Sequence, residues 1–135
     1  MFPTNTRVLV IDDMPSIRDL VKNQLRNMNF TEIIEADDGV NGWKIIESQF
    51  AQANPIELVI SDWNMPNMKG LELLKKVRAT ANFVQLPFIL LTSEAEREQV
   101  TEAVMAGVSQ YIVKPFSGKV FEDKLKTAYQ KHFKK

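Results

Sequence analysis

The chain has 135 residues, 44% hydrophobic and 25% charged, with 17 Lys and Arg against 17 Asp and Glu and no cysteine. This suits a globular protein with one core, and it excludes a disulfide scaffold, a zinc-thiolate site and a cysteine nucleophile. The balanced charge argues against non-specific nucleic-acid binding. No apolar run approaches the ~20 residues that span a bilayer, and the first six residues lack the charged and apolar regions of a signal peptide, so a cytoplasmic protein is expected.

Strand and helix signals then alternate five times. Val8 to Ile11 reads as a first strand, followed by a helix from about Pro15 to Met28. Pro15 suits a first helical turn, where its missing N–H costs nothing. Ile17, Leu20, Val21, Leu25 and Met28 recur at helical spacing. Glu32 to Ala36 is a short second strand, Asp37-Asp38-Gly39 a turn, and the next helix carries Val40, Trp43, Ile46 and Phe50 on one face until Asn54-Pro55 breaks it. Leu58 to Ser61 is strand three, and the loop Asn64 to Gly70 leads to a helix with Leu71, Leu74 and Val77 inward. Phe88 to Leu91 is strand four, with a helix from about Glu94 to Ala106 that stops at Gly107. Tyr111 to Val113 is strand five, and a last helix from about Ser117 to Tyr129 frays into Lys131-His132-Phe133.

Alternating β and α elements predict a parallel sheet covered on both faces. Right-handed crossovers then favour a doubly wound (βα)5 α/β fold with flavodoxin-like strand order 2-1-3-4-5 and its switch point between strands one and three. One domain is expected over residues 1–135, with a core of about 6–130.

Four of the apolar runs end on reactive residues. Val8-Leu9-Val10-Ile11 runs into Asp12-Asp13, the third strand into Asp62, the fourth into Thr92-Ser93, and the fifth into Lys114-Pro115. Ligands of open α/β sheets bind at the carboxyl ends of the strands. Three carboxylates in one crevice need a cation or raised pKa values. Oxygen ligands without His or Cys point to Mg2+, with Asp13 and Asp62 supplying direct oxygens and Asp12 holding a bound water. Each Asp taken singly could instead cap a helix. Lys114 would offer a compact charge to phosphate oxygens, and Thr92 a hydroxyl, although lysines are mostly solvated and Thr92 could also be an N-cap. A carboxylate can itself be the nucleophile, forming an acyl phosphate. His132, the single histidine, lies in the frayed tail and away from the strand ends, where no catalytic part is expected of it.

The ordered set resembles a response-regulator receiver domain, of the CheY-like chemotaxis kind. It consists of Asp12-Asp13, then Asp62-Trp63-Asn64-Met65-Pro66-Asn67-Met68 with Gly70-Leu71-Glu72-Leu73-Leu74, then Thr92 and Lys114-Pro115-Phe116. The likeness spans nearly the whole chain. CheY is itself a standard instance of the strand order given above, so that order is not independent evidence.

The resemblance implies that Asp62 is the phosphoacceptor. Asp12, Asp13, Asp62 and the backbone carbonyl of Asn64 would organise Mg2+. Lys114 and Thr92 would contact the phosphoryl group, with Tyr111 as an aromatic switch behind Thr92. Asn64 and Glu94 would tune dephosphorylation, and the Lys114–Pro115 bond would be cis. A partner face on helix 4, strand 5 and helix 5 would include Ala95, Val100, Tyr111, Val113 and Lys124. Without the motif, Tyr111 reads as a half-buried strand residue and Val100 as core.

The implied function is a stand-alone two-component regulator, a monomer and a signalling module rather than an enzyme. A histidine kinase would supply the phosphoryl group, the flagellar motor switch protein would be the leading target, and a phosphatase could speed dephosphorylation. A phosphate sink or a relay receiver would use the same acid site. A small-molecule aspartyl-phosphate phosphatase would need an acid two residues after Asp62, where Asn64 stands, and a flavodoxin-like cofactor binder would present phosphate with an acidic first loop. The chain departs from the family pattern at Lys69, where Asp is common, at Ser93, which is bulkier than the usual residue, and at Glu96-Arg97, where one of two basic residues is acidic.

Overall fold

A computed structural model describes residues 1–93 and 97–133, excepting the side chain of Arg97. The sequence-expected roles of Glu94, Ala95 and Glu96 lie outside the described residues. Five parallel strands form one sheet in the order β2-β1-β3-β4-β5: β1 Val8–Ile11, β2 Ile33–Ala36, β3 Leu58–Asp62, β4 Phe88–Thr92 and β5 Gln110–Val113. The helices are α1 Pro15–Asn27, α2 Gly39–Ala51, α3 Gly70–Arg78, α4 Arg97–Met105 and α5 Gly118–Phe133. A short 3-10 turn at Ala81–Phe83, which no periodicity announced, precedes β4.

The strands are continuous apolar runs because both faces of the sheet are covered. Leu9, Ile11, Val59, Phe88 and Leu90 pack with residues of α2 and α3, including Ile46, Leu74 and Val77. Val8, Val10, Ile60, Ile89 and Ile112 pack with Val21, Leu25, Phe121 and Leu125 of α1 and α5. Burying a side chain of this size stabilises the fold by roughly 1.5–3 kcal/mol, so the two layers together hold the sheet's register. Gly107 closes α4 with φ of 88°, the left-handed conformation that suits glycine at that place.

Two expectations are corrected. Leu20, placed on the apolar face of α1, is exposed, because that helix meets the sheet chiefly through Val21 and Leu25. The last helix does not fray at Lys131. It continues to Phe133, and its final turn is fastened to neighbouring elements. Arg78 at the end of α3 donates Nε to Gly107 O (2.8 Å) and Nη1 to Leu86 O (2.6 Å). Lys131 Nζ donates to Val108 O at 2.9 Å. Ser109 Oγ accepts the Phe88 N–H at 2.9 Å and lies 2.6 Å from His132 Nε2. Arg78 Nη2 also points at this oxygen, at 3.5 Å, so both lone pairs face donors and the Ser109 hydroxyl hydrogen is left to an unprotonated Nε2.

Burial, then the charges of Arg78 and Lys131, lowers the His132 pKa from its ordinary 6.5. As pH falls through about 6.5 the unfolded chain gains a proton that the folded chain refuses, so stability is lost on the acid side. In urea unfolding, the advantage of the wild type over His132→Gln is expected to shrink as pH falls from 7.5 to 5.5. An advantage that grows in that direction would contradict the neutral-histidine assignment.

Candidate functional site

Strand register carries the reactive residues to one edge. Ile11 pairs with Ser61 and Asp62 with Leu91, so the first residue beyond β1, Asp12, falls beside Asp62. Thr92 pairs with Val113, and the Lys114 N–H donates to the Thr92 carbonyl at 2.7 Å. Lys114 therefore leaves the sheet level with the carboxylates. The bond that follows it, Lys114–Pro115, is cis, as the resemblance implied.

Asp12, Asp13 and Asp62 each bring a carboxylate oxygen within 4.8 Å of the others. Asp12 and Asp62 are buried and Asp13 is exposed. Lys114 Nζ donates to Asp62 Oδ1 at 2.9 Å and lies 3.9 Å from Asp12 Oδ2. Asp12 Oδ1 accepts the Met14 N–H at 2.9 Å, which turns the chain directly after β1. Asp12 Oδ2 is buried without a hydrogen-bond partner. Burial chiefly, opposed by the Met14 N–H and assisted by the Asp62 carboxylate, pushes the Asp12 pKa from 3.8 up to about 6. Three carboxylates against one ammonium, with a buried oxygen lacking a hydrogen-bond donor, form a donor set suited to a hard divalent cation.

The loop after β3 is fastened at several points. Trp63 and Met65 are buried, and the Gly70 N–H bonds back to Trp63 O at 2.9 Å. Gly70 lies so close beneath Asp62 that a Cβ would overlap the Asp62 carbonyl oxygen. Asn67, at φ 69°, donates to Asp38 Oδ2 at 2.7 Å, while Asp38 Oδ1 accepts the Asn41 N–H and caps α2. Asn64 is exposed between these fixed points.

Thr92 is buried at the end of β4. Tyr111 is half-buried and packs against the α2–α3 core layer. Lys124 Nζ sits 4.8 Å from its ring centroid and 3.3 Å from Gln110 Oε1. Val113 is exposed and Val100 and Lys124 half-buried. The edge thus gathers Asp12, Asp13, Asp62 and Lys114 into one crevice, while Lys124 of α5 reaches the Tyr111 ring at the β5 edge of the sheet. Sequence reading missed Arg18, whose Nη1 donates to the Asp12 carbonyl at 2.6 Å. An arginine among the polar residues of a helix carries no signal of such a contact in the sequence. Asp38–Asn67 was missed for the same reason: the pair is joined across two loops.

A family model described as a response regulator receiver domain matches residues 8–126. The chain is 39% identical over 127 residues to the chemotaxis protein CheY-3 of Vibrio cholerae serotype O1, covering 94% of each. It is 38% identical over 125 residues to the chemotaxis protein CheY of Pseudomonas aeruginosa, covering 93% of this chain and 97% of that one. Among solved structures, the chemotaxis response regulator CheY4 of Vibrio cholerae superposes with a TM-score of 0.79 at 31% identity, covering 92% of this chain and 98% of that one.

The raised Asp12 pKa has a stability consequence. Between about 3.8 and about 6 the unfolded chain has released a proton that the folded chain keeps. Stability therefore falls as pH rises through that window and stays lowered above it. Asp12→Asn is expected to stabilise the metal-free protein at pH 7.5 by on the order of 2 kcal/mol, with the gain vanishing towards pH 4. Urea unfolding at the two pH values checks this, and a variant less stable than wild type at pH 7.5 would contradict it.

Proposed function

The chain belongs to the response-regulator receiver-domain family, and from that premise we propose that it is a single receiver domain over residues 1–135 that accepts a phosphoryl group on Asp62. Membership of this family, with relatives that are chemotaxis proteins, makes it a two-component phospho-accepting regulator of the chemotaxis type. The observation that carries the residue assignment is the Lys114–Asp62 contact at 2.9 Å beside two further carboxylates. Asp62 is the carboxylate the lysine holds most closely, at the strand end where ligands of open α/β sheets bind.

In this reading Lys114 holds Oδ1 of Asp62, and Oδ2 is the oxygen left to attack phosphorus. An O–P bond forms as the P–N bond to a histidine kinase's imidazole breaks, and the bonding pair leaves with the imidazole nitrogen. Lys114 and the Thr92 hydroxyl then stabilise the phosphoryl oxygens. Asp12, Asp13, Asp62 and the Asn64 carbonyl would hold Mg2+, which supplies charge neutralisation to the transferring group. The fit rests on the buried Oδ2 of Asp12, which has no hydrogen-bond donor, and on the all-oxygen donor set. Asn64 is exposed beside the site, and with Glu94 it sets the lifetime of the acyl phosphate.

The product carries more negative charge and more acceptor oxygens than a carboxylate. Lys114 and Thr92 are drawn to it, and Tyr111, adjoining Thr92's strand, turns inward. The face bearing Ala95, Val100, Tyr111, Val113 and Lys124 changes, and the flagellar motor switch protein is the proposed listener. The protein works in the cytoplasm as a monomer, with catalysis limited to its own phosphorylation and dephosphorylation.

Trp63 adjoins Asp62, so its fluorescence is expected to change when Mg2+ and a small phosphodonor are added together. Asp62→Asn is expected to retain a metal response and lose the phosphodonor response. A phosphodonor signal that survives in Asp62→Asn would remove the acceptor assignment. Capture of the motor switch protein is expected to rise with phosphodonor, and equal capture in both states would remove that target.

A further inference from the structure

Arg18 lies on the first full turn of α1, with its side chain mostly covered. Its backbone N–H bonds to Met14 O at 3.1 Å, and its Nη1 reaches back to the Asp12 carbonyl at 2.6 Å. One residue thereby ties both ends of the Asp12–Met14 turn.

The Asp12 carbonyl belongs to the peptide group that joins Asp12 to Asp13. The Asp12 N–H is already paired with Ala36 O, the last rung of the β1–β2 ladder. Beyond that rung the carbonyl's orientation depends on what meets it, and that orientation sets the direction in which Asp13 leaves. Asp13 is exposed, so no packing fixes it.

The guanidinium is itself held. Its Nε donates to Glu35 Oε1 at 3.1 Å, and Glu35 Oε2 takes Lys22 Nζ at 3.0 Å, with Asp19 3.3 Å from the same ammonium. Glu35 sits on β2 in register with Val10. The brace therefore runs from the sheet through Glu35 and Arg18 to the peptide between the two site acids. A planar fork can meet a carboxylate and a carbonyl at once, which a lysine ammonium at that distance cannot do in the same geometry.

We propose that Arg18 is a positioning residue for the acid site: braced by Glu35, it fixes the Asp12–Asp13 peptide and so aims the Asp13 carboxylate at the divalent cation. The inference rests on the metal reading given above. It separates from a purely electrostatic effect by sign. Arg18 is a cation near three carboxylates, so deleting its charge would by itself tighten cation binding. Deleting a brace loosens it, and partners that orient metal ligands typically alter affinity by about 10–100-fold.

The test is a Mg2+ titration of the full chain, followed by Trp63 fluorescence, for wild type, Arg18→Gln and Arg18→Lys, with thermal melts of each. Both variants are expected to bind Mg2+ about tenfold more weakly while remaining folded. Backbone amide shifts of Asp13 and Met14 are expected to change in the metal-free state. Unchanged or tighter binding by Arg18→Gln would overturn the proposal, as would wild-type affinity in Arg18→Lys, which would show that the planar fork is not needed. Should Arg18→Gln fail to fold, Arg18→Lys decides the matter alone. A wild type that binds no Mg2+ would instead refute the metal reading itself.

Discussion

The structure turns on the crowding of carboxylates at one sheet edge with a single ammonium to answer them. Asp12 and Asp62 are buried there, Asp13 lies within reach of both, and Lys114 bridges the two buried acids unequally, at 2.9 and 3.9 Å. Such an arrangement is costly for a protein to keep by itself. Its strain is visible in the raised Asp12 pKa and in the Asp12 oxygen without a hydrogen-bond donor. A site poised in this way responds strongly to any change in its charge, which is what a switch driven by a cation and a phosphoryl group requires.

The scaffold holds that crowding in place by separate means for each acid. Asp62 ends a buried central strand and is backed by Gly70, where no side chain would fit. Lys114 is brought level by the β4–β5 register and its own N–H bond to Thr92. Asp12 is tied through both its side chain and its carbonyl. The loop after β3 is pinned to α2 by Asn67 and Asp38. At the opposite end of the sheet, Arg78, Ser109 and His132 clasp α3, β5 and α5. The elements that carry charge at one edge are thus braced at the other.

The strands were legible in the sequence because a sheet buried on both faces demands unbroken apolar runs, and Val8–Ile11, Leu58–Ser61 and Phe88–Leu91 are such runs. The crevice was legible because these three runs and the shorter Tyr111–Val113 run end in acids, a hydroxyl or an amine. What could not be read were contacts set by the packing of distant segments. Leu20 shares the helical spacing of Val21 and Leu25 yet stays exposed, since spacing does not tell how wide a stripe the sheet covers. His132 looked like tail and is half-buried against Ser109. Arg18 and Asn67 are ordinary polar surface types, and only the fold reveals that each reaches a neighbour of the acid site.

The central claim is that Asp62, and neither of its two acidic neighbours, becomes the acyl phosphate. Reduction with borohydride converts an aspartyl phosphate to homoserine, so the modified position can be read by peptide mass spectrometry after treatment with phosphodonor and Mg2+. Homoserine is expected at position 62 alone. Homoserine at position 12 or 13, or at none of the three, would contradict it.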